Sequence, residues 1–447
     1  MLYNKSIKFK KKLIKSYLID NFLLLRNKRK SLFIIGSQVV STAMSFLSII
    51  IASRFLETSV FALYTLLLLY IDYLAIISEY TVVKPIQLVL YQRYTTTSPE
   101  SGRNYIYTCL MIYTIAFSII YALSIAISSV FYPGFELNNI LSTYHIYLFI
   151  LCFSRSCIPI LRRSSQALNM EMWAFICDLL ILTGSIISML ILLQRDSLSH
   201  FNSLLTCFFF PYVVSLPIYL IIVRPKLLNI KSSLWLLKEH GSYMLSLGFR
   251  AIIQICTYII LPLIVVKLSS PETYAMIRLA QTVASPTGFV LLLFEPTLIY
   301  RLLHQNKLGI QKSLIGLSLK LIRKDIWFPL AASSLLLIGI FSGFIEKLIP
   351  ALNGKDYIII VVILVINQLI GFISTYLRIA ADTFKMSMKA SQVYFLSSGA
   401  TIGSYILILN SYSSIGYVSS LLVGQFVGLT FLVLLSSRSL PRITEGA

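Results

Sequence analysis

The sequence carries little charge for its length. Only 12% of its 447 residues are charged, about half of the share that soluble domains have. Hydrophobic residues make up 57%, and the mean hydropathy is +0.82. The apolar residues fall in blocks of about 20 or more, which is the length that crosses a bilayer. The composition therefore excludes a soluble globular protein and predicts an all-α, polytopic membrane protein.

Cysteine and histidine are also scarce, and their placement excludes several kinds of site. All six cysteines fall inside apolar blocks, so we expect packing residues and no disulfide or metal site. The four histidines lie far apart, and the chain has no HExxH motif and no phosphate-binding glycine loop. No loop is long enough for a soluble catalytic domain. We therefore expect no cofactor, no metal, no catalytic residue and no enzymatic activity.

The chain does contain twelve hydrophobic spans. They lie at residues 31–54, 58–84, 104–131, 142–161, 172–194, 201–223, 241–266, 273–300, 325–350, 357–377, 391–410 and 415–437. Twelve spans place both termini on one side, and 31 of the 38 lysines and arginines fall on that side, against five in the opposite loops. Because positively charged loops stay in the cytoplasm, both termini are predicted to be cytoplasmic. Anionic lipid headgroups then explain the net charge of +21, and we expect no nucleic-acid partner.

Two basic segments outside the spans suggest how the chain is divided. In residues 7–30, IKFKKKLIKSYLIDNFLLLRNKRK, lysines are interspersed with Leu, Ile and Phe, as in an amphipathic helix on the cytoplasmic leaflet. A second such segment, residues 224–243, lies in the middle of the chain. The predicted organisation is a basic amphipathic segment 1–30, an N-lobe 31–223, a cytoplasmic amphipathic linker 224–240, a C-lobe 241–437 and a cytoplasmic tail 438–447.

An internal repeat supports this division. SRFLETSVFALYTL (53–66) aligns with VKLSSPETYAMIRL (266–279) at an offset of about 213. Since each half holds an even number of spans, both copies run the same way through the membrane. The sequence therefore predicts two parallel-repeat lobes of six helices each.

Polar residues follow a helical period in four of the spans. They are Ser37, Ser41 and Ser45 in span one; Thr65, Asp72 and Glu79 in span two; Ser246, Arg250, Gln254 and Tyr258 in span seven; and Tyr274, Arg278, Gln281 and Ser285 in span eight. Such spacing puts each group on one helix face. Helix-packing serines explain the stripe of span one, but not Asp72, Arg250 and Arg278 together. We expect a shared hydrated cavity between the lobes; separate structural contacts are the alternative.

The arginines of these stripes suggest an anionic substrate. A guanidinium binds phosphate oxygens with two parallel hydrogen bonds and keeps its charge inside a membrane. We predict that Arg250 and Arg278, at different depths, bind the anion. The other predicted substrate contacts are Gln254, Gln281, Tyr258, Tyr274, Ser37 and Ser41. For Arg250 the alternative is a side chain that reaches out to the membrane interface.

Three acidic residues lie within the predicted spans, namely Asp72, Glu79 and Asp178. Their carboxylates could neutralise the arginines as ion-pair partners. They could also carry coupling protons, because desolvation favours the protonated form of a buried carboxyl group. The sequence leaves both roles open.

Residues 36–66, GSQVVSTAMSFLSIIIASRFLETSVFALYTL, and 270–302, SPETYAMIRLAQTVASPTGFVLLLFEPTLIYRL, resemble the Wzx-type O-antigen flippases. These belong to the multidrug/oligosaccharidyl-lipid/polysaccharide (MOP) exporter superfamily. The resemblance implies a MATE-like pair of six-helix lobes around a central cavity, with alternating access. It also implies cationic residues on the first helix of the second lobe, where Arg250 lies. The chain departs from the fourteen-span lipid II flippases, and its first span carries serines where a basic residue is expected.

The function that this resemblance implies is export of a lipid-linked glycan. The substrate would be an undecaprenyl-pyrophosphate-linked oligosaccharide, such as an O-antigen or lipopolysaccharide repeat unit, moved to the outer leaflet of the bacterial cytoplasmic membrane. Other polysaccharide assembly proteins are expected as partners. One alternative is a MATE-type cation-coupled multidrug antiporter, which would favour acidic cavity residues. Another is an integral-membrane polysaccharide polymerase or glycosyltransferase, which would need a larger loop.

Overall fold

A computed structural model describes most of the chain, but not all of it. The described residues are 32–78, 99–131, 145–194, 201–226, 241, 245–254, 257, 261–307, 314–348, 355–383, 386–409 and 413–437. The predicted amphipathic segment 1–30, nearly all of the linker 224–240 and the tail 438–447 lie outside them.

The described residues are helical throughout both predicted lobes. The helices of the N-lobe are α1 (Leu32–Phe55), α2 (Thr58–Ser78), α3 (Pro99–Phe131), α4 (His145–Ala167), α5 (Glu171–Gln194) and α6 (Phe201–Val223). Those of the C-lobe are α7 (Leu245–Gln254), α8 (Leu261–Leu268), α9 (Pro271–Lys307), α10 (Leu314–Asp325), α11 (Trp327–Phe341), α12 (Phe344–Leu348), α13 (Lys355–Thr383), α14 (Ser387–Ser404) and α15 (Ser413–Ser436). A π-helical turn, Tyr405–Leu409, extends α14.

The helices confirm the predicted all-α membrane architecture. Within the described residues, seven helices are long and apolar enough to cross a membrane, or eight if α10 and α11, bent by 40°, form one span. Each of the twelve predicted spans contains helix. Helices satisfy their backbone hydrogen bonds internally, which the hydrocarbon core requires.

Side chains on the outside of the bundle are those that lipid favours. On α5, Ile187 and Leu190 are 57% and 51% exposed, and on α11 Leu335 is 72% exposed. Some hydroxyls bond within their own helix, as where Thr114 donates to the carbonyl of Leu110 at 2.8 Å. Large apolar side chains exposed on the outside of the bundle fit hydrocarbon better than water.

The packing of the helices is duplicated between the lobes. In the N-lobe, α4 packs against both α2 and α6, and α5 packs against α6. In the C-lobe, the corresponding spans pack in the same way: α13 against α9 and α15, and α14 against α15. The lobes meet where α2 packs against α9, and there Tyr274 is buried with Leu66 and Leu69. The two lobes are therefore parallel repeats.

Two helices extend beyond their predicted spans, and the added residues include arginines. We assigned Arg162, Arg163 and Arg378 to loops, but α4 continues to Ala167 and α13 to Thr383. Arg162 and Arg163 are buried. The predicted ends were wrong because a charge within an apolar run usually marks a helix end, whereas here the charges have partners inside the protein.

Within the predicted seventh span, the described residues comprise α7 (Leu245–Gln254), Thr257 and α8 (Leu261–Leu268). Thr257 donates to the hydroxyl of Ser398 on α14 at 2.6 Å. We call the end of the bundle at which α6 ends and α7 begins the linker end.

Candidate functional site

A cavity of about 320 Å³ lies between the two lobes, and we call it the main cavity. The N-lobe lines it with residues of α1 and α2: Thr42, Ser45, Phe46, Ile49 and Leu69. The C-lobe supplies all of the other described lining residues, from span seven, α8, α9, α13, α14 and α15. Most of its polar side chains are amides and hydroxyls, including those of Asn367, Gln368, Ser397, Ser398, Thr401 and Gln425.

Four of the sequence-predicted substrate residues line this cavity together. They are Gln254, Tyr274, Arg278 and Gln281. Arg278 lies in the first turns of α9, where its Nη1 donates to Oε1 of Gln281 at 3.5 Å. Ser41 is not among the lining residues. Ser37 is buried elsewhere, and Tyr258 lies outside the described residues.

Arg250 is placed differently from the sequence expectation. Its side chain is fully buried and lines neither the main cavity nor the second cavity described below. Its Nη1 and Nη2 donate to the two carboxylate oxygens of Asp382 at 2.7 and 2.8 Å. Full burial also does not fit the alternative of a side chain reaching the membrane interface. Asp382 follows Arg250 by 132 residues, so the spacing of span seven carries no sign of this pair.

A second cavity, of about 190 Å³, continues from the main cavity toward the linker end within the C-lobe. The two cavities share five lining residues: Gln254, Gln368, Tyr394, Ser397 and Gln425. Arg378 brings a positive charge to the second cavity. From Asn367 to Arg378 the polar path along α13 covers eleven residues, about 16 Å.

Arg378 and the polar face of α13 were not predicted from the sequence. Asn367, Gly371, Ser374 and Arg378 recur at spacings of three and four residues, and that face lines the two cavities. The period used for span seven would have found this stripe. It was missed because Arg378 was assigned to a loop.

Two guanidinium groups lie close to Tyr394 at the linker end of the second cavity. The guanidinium of Arg250 lies 5.1 Å from the centre of its ring, and that of Arg378 lies 5.7 Å away. Arg378 also donates from Nη1 to the Tyr394 hydroxyl. Asp382 compensates one of the two positive charges through Arg250. We call these four residues, Arg250, Arg378, Asp382 and Tyr394, the C-lobe cluster.

The N-lobe holds a polar cluster in the corresponding place, made of Ser37, Arg162, Asp178 and Tyr219. Arg162 donates to Oδ1 of Asp178 from Nη2 at 2.8 Å and from Nε at 3.2 Å. Ser37 donates to the other carboxylate oxygen, and the Tyr219 hydroxyl lies 3.0 Å from Oδ1. Asp178 is thus an ion-pair partner, but of Arg162 and not of the arginines that the sequence suggested.

The remaining sequence-predicted acidic residues cannot be placed in either cluster. Asp72 falls in α2, but its side chain lies outside the described residues, as does the whole of Glu79. Among the residues that the structure describes, no group of three or more His, Cys, Asp or Glu could hold a metal ion.

The solved structures that match this chain identify its fold. No known sequence family and no curated protein sequence matches the chain. The eukaryotic MATE transporter AtDTX14 matches with a TM-score of 0.65 at 13% identity, over 92% of this chain and 95% of that one. The lipid II flippase MurJ, in an inward closed conformation, matches with a TM-score of 0.64 at 13% identity, over 90% and 87%. The chain has the fold of the MOP transporters.

A third match with this fold concerns the polarity of the cavity. It is a MOP superfamily transporter from Pyrococcus furiosus whose binding pocket is described as having reverse polarity, suggesting a different function. Its TM-score is 0.53 at 12% identity, over 92% of this chain and 95% of that one. At identities this low, the matches establish only the fold. The activity must therefore be argued from the residues that line the cavities. In this MOP fold the main cavity lies between the lobes.

Proposed function

We propose that the protein is a flippase for an undecaprenyl-pyrophosphate-linked oligosaccharide, the repeat unit of a surface polysaccharide. It moves this lipid from the inner to the outer leaflet of the bacterial cytoplasmic membrane by alternating access. Both termini face the cytoplasm in this proposal. The partners are the lipid-linked glycan, the bilayer and other polysaccharide assembly proteins.

The charge of the cavities is the observation that carries the proposal. Arg278 lines the main cavity and Arg378 lines the second, and no carboxylate is among the described lining residues of either. Placing an arginine within the membrane is costly, so such residues usually serve a function. A guanidinium matches the oxygens of a phosphate group. The surrounding amides and hydroxyls can bond to the hydroxyls of sugars.

The size of the main cavity supports transport of a large substrate in stages. Its volume of about 320 Å³ is at the low end of the range for pockets that enclose a small molecule. A lipid-linked oligosaccharide exceeds that range. The lobes must therefore separate to admit it, as alternating access requires.

A MATE-type multidrug antiporter is the second candidate, favoured by the MATE structures among the matches. Drugs exported by such an antiporter are mostly cations, which an arginine repels. The two candidates therefore predict opposite charges for the transported molecule.

One reconstitution experiment separates them. The purified protein is placed in proteoliposomes, and two activities are measured: flipping of a fluorescent undecaprenyl-pyrophosphate-linked glycan, and proton-driven uptake of the cation ethidium. We expect flipping and no uptake. Arg278→Ala should weaken glycan-lipid binding by about 10- to 150-fold, since it removes a hydrogen bond from a charged donor.

Arg54→Ala is the matched control. Arg54 lies at the end of α1, is exposed and lines neither cavity, so its removal changes the net charge equally and should leave flipping intact. Ethidium uptake without flipping would overturn the proposal in favour of the antiporter.

A further inference from the structure

The short helix α10 is amphipathic and packs against the linker end of α13. Its buried residues recur at spacings of three and four, which puts them on one face: Ser318, Leu321, Ile322 and Asp325. Leu321 and Ile322 belong to the apolar cluster that contains Tyr376 of α13. The Tyr376 hydroxyl donates to Oδ2 of Asp325 at 2.7 Å. Apolar contacts and a hydrogen bond therefore hold α10 in place.

The opposite face of α10 is basic. It carries Lys320, Arg323 and Lys324, again at spacings of three and four, and all three are exposed. In the part of the chain that the structure describes, the two ion pairs lie in the lobe clusters, and neither involves this face. Like charges at this spacing repel one another. A bound anion would relieve that repulsion.

Large apolar side chains lie directly beside the basic face. Leu319 of α10 is 52% exposed, and Trp327, the first residue of α11, is 71% exposed. The axis bends by 40° between the two helices, so α10 turns away from the direction of the membrane-facing α11. Tryptophan is enriched at the level of the lipid headgroups. An exposed basic face bordered by exposed apolar residues fits the boundary between headgroups and hydrocarbon.

This combination favours a lipid over other anionic partners. Cations are favoured in the last turn of any helix, which accounts for Arg323 and Lys324 but not for the exposed Leu319 and Trp327 beside them. An acidic protein or a nucleic acid would pair with the charges and leave both apolar side chains in water. An anionic phospholipid offers a phosphate to the cations and acyl chains to the apolar residues.

We propose that the exposed face of α10, together with Trp327, is a binding site for an anionic phospholipid of the leaflet at the linker end. Lys320, Arg323 and Lys324 bind the headgroup, and Trp327 contacts the acyl chains. None of these four residues lines the main cavity or the second cavity. The site therefore exists whichever molecule the protein transports, and its test does not measure transport.

Fluorescence quenching tests contact with the lipid. Trp173→Phe with Trp235→Phe leaves Trp327 as the single tryptophan of the full-length chain. This protein, purified in an uncharged detergent, is titrated with phosphatidylglycerol that carries bromine on its acyl chains. We expect quenching at much lower lipid concentration than with brominated phosphatidylcholine, whose headgroup has no net charge. Equal quenching by the two lipids would overturn an anionic site.

The three charges are tested together. Each lysine or arginine near a lipid phosphate contributes about 5-fold in affinity, so changing Lys320, Arg323 and Lys324 to glutamine should weaken phosphatidylglycerol binding by roughly 100-fold. If this variant does not fold, Lys320→Gln and Lys324→Gln are tested singly, with about 5-fold losses expected. Unchanged affinity in the triple variant, or in both single variants, would contradict the proposal.

A matched control separates a site from general attraction to a basic protein. Arg224, Lys226 and Lys389 are exposed at the ends of other helices on the linker side. Changing all three to glutamine removes the same charge and should leave the affinity nearly unchanged. Equal losses in the two triple variants would mean that net charge attracts the lipid, and would overturn the site on α10.

A soluble polyanion tests the alternative of a protein partner. Poly-glutamate has the charge of an acidic protein but no acyl chain. We expect it to displace brominated phosphatidylglycerol only at a much higher concentration of negative charge, because it makes no contact with Trp327. Displacement at an equal or lower concentration of charge would identify α10 as a docking surface for an acidic protein and would overturn the lipid site.

Discussion

In both lobes the first, fourth and fifth spans meet in a polar cluster near the linker end. In the N-lobe the cluster centres on a carboxylate: Asp178 receives hydrogen bonds from Ser37 of α1 and Arg162 of α4, and Tyr219 of α6 lies within reach. Each oxygen of Asp178 therefore has a donor. Neither Asp178 nor Arg162 lines the main cavity or the second cavity.

In the C-lobe the cluster centres on the ring of Tyr394, which has the guanidinium groups of Arg250 and Arg378 at 5.1 and 5.7 Å from its centre. Asp382 holds Arg250, while Arg378 continues into the second cavity. The same helix arrangement thus holds an ion pair away from both cavities in the N-lobe, and in the C-lobe an ion pair beside an arginine that lines a cavity. Similar helix packing can therefore either bury an arginine against a carboxylate or place it in a cavity wall.

The largest expected effect comes from breaking the N-lobe pair. Asp178→Ala leaves Arg162 buried without its partner, which typically destabilises a protein by about 3–5 kcal/mol. We expect low abundance in the membrane and a lower midpoint of thermal unfolding of the purified protein. The double variant Asp178→Ala with Arg162→Met should recover much of the loss, because no isolated charge remains. A single variant as stable as the unaltered protein would mean that the pair contributes nothing.

The next effect comes from the C-lobe pair and should be smaller, because the side chain of Asp382 is 12% exposed against 1% for Asp178. Arg250→Ala should lower abundance, because Asp382 then loses its buried partner. Exchanging the two residues, Arg250→Asp with Asp382→Arg, should restore stability more than activity. Normal abundance with abolished transport in Arg250→Ala would return Arg250 to the role that the sequence suggested, a direct contact of the substrate.

A third prediction compares one glycine in each lobe. A Cβ at Gly288 would overlap the amide oxygen of Gln368. Gly288→Ala should push Gln368 out of place and slow flipping about 2- to 10-fold, because Gln368 lies between the two cavities. In the N-lobe, a Cβ at Gly184 would meet Pro211 at an ordinary 3.4 Å. Gly184→Ala should therefore leave transport unchanged and stabilise the helix by about 0.5–1 kcal/mol. Equal transport rates in the two variants would contradict a path through the C-lobe.

The smallest perturbation tests on which side of the membrane the linker end, and with it both clusters, lies. Single cysteines near Asn139 and Asn353, in a cysteine-free variant, should be labelled from outside the cell by an impermeant reagent. Cysteines near Lys231 and Lys312 should not. These positions lie outside the described residues, and the expectation rests on the bias of positive charge. The reverse labelling would place the linker end outside and exclude export in the proposed direction.

The periodic polar stripes predicted part of the main cavity. Arg278 and Gln281, one helical turn apart, lie on one face of α9 and line the cavity together with Tyr274. The same reasoning placed Arg250 beside Gln254, and only Gln254 lines it. A stripe shows which residues share a helix face, but the face is wide enough to point partly at a cavity and partly at a neighbouring helix.

By itself, the sequence determined the all-helical membrane architecture, the approximate positions of the spans and the two-lobe repeat. The length of each apolar block depends only on neighbouring residues, and the offset between the two repeats depends only on sequence positions. Both can therefore be read from the sequence without knowing the fold. The tertiary structure alone decided which arginine faces open space. Arg250 meets Asp382 and Arg162 meets Asp178 through helices packed side by side, across 132 and 16 residues. Whether a buried charge is neutralised depends on its neighbours in space, and helix packing sets those neighbours.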